Sequence, residues 1–295
     1  MKRLLLLVAM VTATGCARSL PDSAYVNAAN VKTLREAFQA GKTTGGDAAA
    51  TTSAEPTGWA TFKGVFKVSG APQPLPLSVT KDTAVCAPGG KAVLSEVWRT
   101  DSAGHLRDVV VYLSSPFKSG DAKWEHEAYA AKKDESPEFD QKECIFLSHM
   151  FAMRSTQKLK VLNSDAVGHN TKIDGNGKGQ SANFTVAANG SETYNPGGAS
   201  QAPMPVACSI HPWMSAYIMA VDSPLFAVTK EDGSFEIANI PAGVDLEFKV
   251  WHEGLKAPTG DITLNGQPAK LAKGKLKIKA EPDSTVELVF DGPAK

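Results

Sequence analysis

One short stretch, residues 204–214, constrains the fold more than any other part of this chain. It reads MPVACSIHPWM and places a thiol (Cys208), an imidazole (His211) and a thioether (Met214) at intervals of three residues. An alternating run leads into the stretch, and a β-forming run (residues 216–221) follows it. The pattern predicts a tight loop between two strands, which would direct all three side chains toward one point.

A second imidazole completes a metal-ligand set. His169 follows a strand-like segment and ends a polar turn. Each of the four side chains alone would be an ordinary core or surface residue, so the prediction depends on their joint order and spacing. A thiolate, two imidazoles and a thioether suit copper better than zinc, calcium or magnesium. Together they predict two nitrogen ligands, one thiolate and a weak axial sulfur.

Two motifs resemble the cupredoxin family of blue copper proteins. CSIHPWM (residues 208–214) resembles the short ligand loop of the amicyanin members of that family. DAVGHN (residues 165–170) resembles the family's turn at the first histidine. The resemblance covers roughly residues 140–222. It implies a Greek-key β-sandwich.

The same resemblance implies a type 1 copper site and a function in electron transfer. Copper would be held by His169, His211, Cys208 and a weakly bound Met214, and would alternate between Cu(I) and Cu(II). Because protein fills all four positions, bond-making catalysis is not expected. The partner would be another redox protein, such as a cytochrome or a dehydrogenase. Asn170 would brace the two ligand loops from outside the ligand set.

The ligand loop also predicts a contact surface for that partner. Pro212 and Trp213 flank His211 with apolar groups. We expect them to form a small apolar docking surface around the edge of the imidazole, since weak electron-transfer encounters use small interfaces.

The N-terminus is typical of an exported protein. Residues 1–16 combine a charged start, a short apolar run and small residues before Cys16. The sequence ATGC (residues 13–16) resembles a bacterial lipobox, although Ala13 stands where Leu is usual. It predicts a periplasmic or cell-envelope lipoprotein, anchored to the membrane through Cys16; ordinary cleavage that leaves Cys16 free is the alternative. Residues 17–57 are predicted to be a short helix followed by a flexible linker.

Export to an oxidising compartment would allow the remaining cysteines to form a disulfide. The chain has four, of which Cys16 is assigned to lipid and Cys208 to metal. In an oxidising compartment we expect the other two, Cys86 and Cys144, to form a disulfide.

A second pattern follows the ligand loop. Residues 226–243, FAVTKEDGSFEIANIPAG, predict short strands joined by an Asp-Gly turn and a Pro-Ala-Gly turn. They resemble the carboxypeptidase regulatory-like (transthyretin-like) β-sandwich domain, and residues 61–70 and 109–113 resemble its opening strands. The fold class is therefore all-β, with two sandwiches.

The order of these patterns predicts a domain inside a domain. We expect a cupredoxin domain at 119–222, inserted into a second sandwich made of 58–118 and 223–295. The alternative is two consecutive domains, with residues 58–118 belonging to the cupredoxin.

Composition and charge exclude other classes. Apolar residues make up 42% of the chain, which is enough for two cores, and 31 basic residues balance 31 acidic ones. This balance argues against nucleic-acid binding, which usually requires a basic excess. Two other functions stay open: a copper-carrying or copper-storing protein, and a cell-surface interaction module on a cupredoxin scaffold.

Overall fold

The computed structural model describes residues 54–294. The predicted signal peptide, Cys16 and the N-terminal helix lie outside the described residues. Within them the regular secondary structure is nearly all β-strand, which confirms the all-β prediction. The described helices are short: α1 (Thr83–Cys86), α2 (Glu127–Ala130) and a 3₁₀ turn (Pro88–Gly90). None of them is long and apolar enough to cross a membrane.

Strands from two separate parts of the chain form one β-sandwich, which we call the split sandwich. Its first sheet has the order β13-β1-β18-β15-β16 and contains β1 (Gly58–Ser69), β13 (Ser234–Ala242), β15 (Gly260–Leu264), β16 (Gln267–Leu271) and β18 (Thr285–Pro293). Its second sheet has the order β12-β2-β14-β17 and contains β2 (Val110–Leu113), β12 (Phe226–Val228), β14 (Asp245–Trp251) and β17 (Lys275–Lys279). Both sheets thus combine strands from before residue 114 with strands from after residue 225.

The split sandwich has an aromatic core because its strands alternate inward and outward residues. In β1, Phe62 and Phe66 are completely buried. Gly64 lies between them on the same face, where a Cβ would meet the Phe235 ring, so only glycine fits there. Trp124, beyond the predicted boundary at residue 118, also belongs to this core.

The chain between the two parts of the split sandwich forms a second one, the central sandwich. Its first sheet has the order β5-β11-β10-β7-β8 and contains β5 (Met150–Arg154), β7 (His169–Ile173), β8 (Ala182–Val186), β10 (Met204–Ala207) and β11 (Ser215–Val221). Its second sheet has the order β4-β3-β6-β9 and contains β3 (Glu138–Lys142), β4 (Ile145–Phe146), β6 (Leu159–Asn163) and β9 (Ser191–Tyr194).

The boundaries of two segments matter for the site. The sequence predicts that His169 ends a turn, and it is the first residue of β7. The apolar run at 145–153 is not one strand, because β4 pairs with β3 in one sheet and β5 pairs with β11 in the other. The chain therefore crosses between the two sheets at residues 147–149.

A third apolar cluster joins the two sandwiches. Val110 and Tyr112 of β2 pack with Met150 of β5 and with Met219 and Val221 of β11. Strand β11 also follows the loop that carries Cys208 and His211, so the split sandwich contacts a strand that supports the candidate metal site.

Candidate metal centre

The loop between β10 and β11 carries two of the candidate ligands. The two strands are antiparallel and pair up to Ala207 and Ser215. The connecting loop is closed by backbone hydrogen bonds from the Met214 amide to the His211 carbonyl (3.0 Å) and from the Cys208 amide to the Met214 carbonyl (3.3 Å). This closure turns the side chains of Cys208 and His211 into the sandwich.

His169 reaches the same point from the neighbouring strand, because β7 pairs with β10. The Nδ1 atoms of His169 and His211 are 2.9 Å apart, and the Cys208 sulfur is 3.8 Å from Nδ1 of His211. One ligand atom from each residue lies within 4.8 Å of the other two. All three side chains are at most 1% exposed. The structure thus brings together three of the four candidate ligands.

A carboxylate fixes each imidazole from behind. Nε2 of His169 is 2.7 Å from Asp165, and Nε2 of His211 is 2.9 Å from Asp82. A carboxylate only accepts hydrogen bonds, so Nε2 of each ring is the nitrogen that donates, and Nδ1 of each ring is left to face the ligand cluster. Two lone pairs that face each other at 2.9 Å repel unless a cation, either a proton or a metal ion, lies between them.

The surroundings of His169 favour its neutral form. Burial is the largest influence and lowers the pKa of His169, while the hydrogen bond and charge of Asp165 act in the opposite direction. Repulsion from His211 adds to the lowering, and the net pKa lies below the ordinary value. Neutral imidazole is the form that binds metal.

Two backbone amide groups donate hydrogen bonds to the Cys208 sulfur. The backbone N–H groups of Asn170 and His211 donate to it at 3.2 and 3.4 Å. The Asn170 side chain accepts a hydrogen bond from the Ser209 amide at 3.0 Å and donates to the Asn183 side chain. Asn170 therefore links the β7 strand to the ligand loop, and its role in tuning a bound metal stays a prediction.

Met214 and the disulfide complete the account of the predicted residues. Met214 is buried on the ligand loop, and its role as the axial ligand stays a prediction. Cys86 and Cys144 form a disulfide. A sulfur of each cysteine and a ring nitrogen of His211 lie within 4.8 Å of one another, so the bridge lies directly against the site.

The docking surface that the sequence predicts lies around the imidazole edge of His211, and it stays a prediction. His211 itself is 0% exposed, and Asp82 lies on its outer nitrogen. Trp213 also lies over the ring, with centroids 5.2 Å apart, and its Nε1 donates to the Cys144 carbonyl. Of the flanking pair, Pro212 is exposed and Trp213 is half-buried.

Asp82 contacts a candidate ligand, and the sequence analysis did not single it out. It lies in an irregular segment with no motif and contacts a histidine far along the chain. An acidic residue near a cysteine that is expected to be bridged is the only signal that could have pointed to it.

No protein-family model matches the chain, and no curated protein matches it. Among solved structures, it is similar to a variant amicyanin in its reduced Cu(I) form at pH 4, with 16% identity over 31% of this chain and 88% of that one, and a TM-score of 0.26. It is also similar to amicyanin from Paracoccus versutus, with 12% identity over 37% of this chain and 96% of that one, and a TM-score of 0.25. A copper-containing nitrite reductase from Thermus scotoductus shows 12% identity over 37% of this chain and 26% of that one, with a TM-score of 0.28. The functional proposal therefore rests on the geometry of the ligand cluster.

Proposed function

We propose that the protein is a type 1 copper protein that carries single electrons between redox partners. The observation that carries the proposal is the pair of buried Nδ1 atoms, 2.9 Å apart and beside a buried thiol. This arrangement of donors is suited to a single cation.

The chemistry of the donors fits copper. His169, His211 and Cys208 offer two imidazole nitrogens and one thiolate, and Met214 supplies a thioether on the same loop. Two histidines with one cysteine and a weak axial sulfur are typical of blue-copper sites, whereas structural zinc sites take four strong ligands. Bound copper would supply a one-electron couple between Cu(I) and Cu(II).

The residues around the cluster hold the donors in fixed positions. Asp165 and Asp82 fix the two imidazole rings, and two N–H donors fix the sulfur of Cys208. Donors that are held in this way move little when the charge at the site changes. A small rearrangement favours fast electron transfer over bond-making chemistry, so we propose an electron carrier rather than an enzyme.

The rest of the chain supports an envelope setting for this function. The N-terminal pattern favours export and a lipid anchor on Cys16, and the Cys86–Cys144 disulfide suits an oxidising compartment. In the proposal the split sandwich, which resembles transthyretin-like domains, spaces the copper site from the membrane or contacts the redox partner. Pro212 and the half-buried Trp213 are the candidates for that contact beside the site.

A copper-storing or copper-carrying function is the second candidate. The complete burial of His211 favours it, because a covered imidazole lengthens the path from the metal to a docked partner. A stored metal would show no reversible one-electron couple.

Copper loading tests both candidates. We expect the metal-free protein to bind one Cu(II) and to develop intense visible charge-transfer absorption from the thiolate. Cys208→Ser should abolish this absorption completely, since it removes the thiolate. Voltammetry of the loaded protein should then find a reversible one-electron couple; its absence would favour storage, and a colourless loaded protein would contradict the type 1 assignment.

A further inference from the structure

The geometry points to Asp82 as a positioning residue for His211, held against the imidazole by the Cys86–Cys144 disulfide. We call residues 79–86 the cover segment. Its function is to close the outer side of the metal centre and to keep Nδ1 of His211 directed at the ligand cluster. The part of this inference that concerns copper rests on the proposed function.

The local structure at Asp82 is directed at His211. Asp82 is the N-cap residue of α1, and its carbonyl accepts from the amides of Val85 and Cys86. An N-cap aspartate normally uses its side chain to accept from an amide of the first turn. Here the side chain makes no such bond and lies instead 2.9 Å from Nε2 of His211. The residue also takes a left-handed conformation (φ 49°), which is uncommon outside glycine.

The cover segment is seated on the central sandwich, although it precedes that sandwich by many residues. Val79 and Val85 pack against the core cluster that contains Cys208 and Met214, and Cys86 belongs to that cluster. An apolar contact on each side of Asp82 therefore holds its carboxylate over the site.

The disulfide links the two carboxylates that back the two histidines. On one side, Cys86 ends the helix that begins after Asp82. On the other, the amides of Glu143 and Cys144 donate to the Asp165 carboxylate at 2.7 and 2.9 Å. That same carboxylate holds His169. One covalent bridge thus anchors the supports of both imidazoles.

The two supports depend on the bridge to different degrees. Asp165 is four residues from His169 and stays near it through the local chain. Asp82 reaches His211 only through tertiary packing and the bridge. Loss of the disulfide should therefore free His211 while His169 stays in place.

The first experiment uses metal-free protein and diethyl pyrocarbonate, which modifies accessible imidazoles. Peptide mass mapping follows His211, with the partly exposed His126 as the internal reference. We expect His211 to be protected in the wild type and to react at a rate comparable to His126 in Asp82→Ala. The matched control is Asp101→Ala, since Asp101 holds His105 through a similar 2.7 Å contact that involves no candidate ligand. Continued protection of His211 in Asp82→Ala would overturn the inference.

A second variant separates the bridge from the carboxylate. Cys86→Ser combined with Cys144→Ser should also expose His211, and adding Asp82→Ala to it should have little further effect, because both changes remove the same support. Additive effects of the two changes would show that the bridge does not act through Asp82. If the double cysteine variant fails to fold, Asp82→Ala keeps the disulfide and decides the matter alone.

The copper-loaded protein gives an independent measurement. Release of copper to a chelator should be about 10-fold faster in Asp82→Ala, which is the usual scale for losing a group that orients a metal ligand. The reduction potential should rise in Asp82→Ala and also in Asp82→Asn, since both remove a negative charge beside the site. Wild-type release rates in Asp82→Ala would overturn the inference. A wild type that binds no copper would defeat the proposed function, while the histidine modification would still test the cover segment.

Discussion

The interiors of the two sandwiches differ at one end of the central sandwich. In the split sandwich, inward positions hold hydrocarbon, with Phe62, Phe66 and Phe248 completely buried. At one end of the central sandwich, equivalent interior positions hold His169 and His211. Burying hydrocarbon stabilises a fold, whereas burying polar groups destabilises it unless each finds a partner.

The hydrogen bonds of the central sandwich reflect that requirement. Each buried imidazole has a carboxylate on one nitrogen, and the thiol has two amide donors. Nothing similar is needed among the phenylalanines of the split sandwich. The two sandwiches thus share an architecture, but only the central one has to supply hydrogen-bond partners for a buried cluster of imidazoles and a thiol.

Truncation of a core phenylalanine should have the largest effect on stability. Phe62→Ala removes a completely buried ring from the split sandwich, and we expect the free energy of unfolding to fall by about 3–5 kcal/mol. Denaturant unfolding of the metal-free protein measures the change. The visible absorption of the folded, copper-loaded variant should equal that of the wild type; an altered absorption would mean that the two interiors are not separable.

His149 lies between the two sandwiches and contacts both. Its Nε2 is 2.7 Å from Glu253 of the split sandwich, and its Nδ1 is 3.2 Å from the Ser215 carbonyl, next to the ligand loop. Burial alone would lower the pKa of His149. The hydrogen bonds and charges of Glu253 and Glu96 outweigh burial and raise the pKa to about 9.

This raised pKa predicts a pH dependence of stability. A pKa that is higher in the folded state than the unfolded value of 6.5 stabilises the fold fully below pH 6.5, and the stabilisation is lost as the pH rises through about 9. The free energy of unfolding should fall by roughly 2–4 kcal/mol across that window. His149→Gln should flatten the profile. Equal slopes for the wild type and the variant would disprove the coupling.

Substitution of the candidate axial ligand should have the smallest effect. Met214→Leu nearly conserves volume, so stability should change by less than about 1.5 kcal/mol. The visible absorption should persist, because the thiolate supplies it, and the reduction potential should rise, because an electron-donating thioether is lost. Spectroscopy and voltammetry on the same sample check both. A colourless variant that still binds copper would reverse these roles.

Local pattern explains which parts of this molecule could be predicted. Alternation in β1 and the spacing within residues 204–214 are short-range signals, and they predicted β-structure and a ligand loop between two strands. The meeting of His169 with that loop was predicted from the type of ligand that was missing. The resemblance of the split sandwich to transthyretin-like domains stays a prediction.

Other features depend on contacts that no local pattern encodes. Asp82 lies in a segment without strand or helix periodicity, so its position on His211 and the burial of that ring follow only from tertiary packing. The contacts of His149 could not be predicted from local pattern either. Its partner Glu96 precedes the central sandwich in the chain, and its partner Glu253 follows it.

The pairing of β1 with β18 has a consequence for how the protein acquires its shape. These strands run parallel from Thr61 and Thr285 onward. The first strand of the described chain therefore cannot form this pairing until the last strand has been synthesised. All strands of the central sandwich are made before residue 222. During synthesis, all strands of the central sandwich are therefore available before β18, which the split sandwich needs to complete its first sheet. Because long-range pairing slows folding, the exposed edge of β1 is the surface of the newly made chain most in need of protection from aggregation.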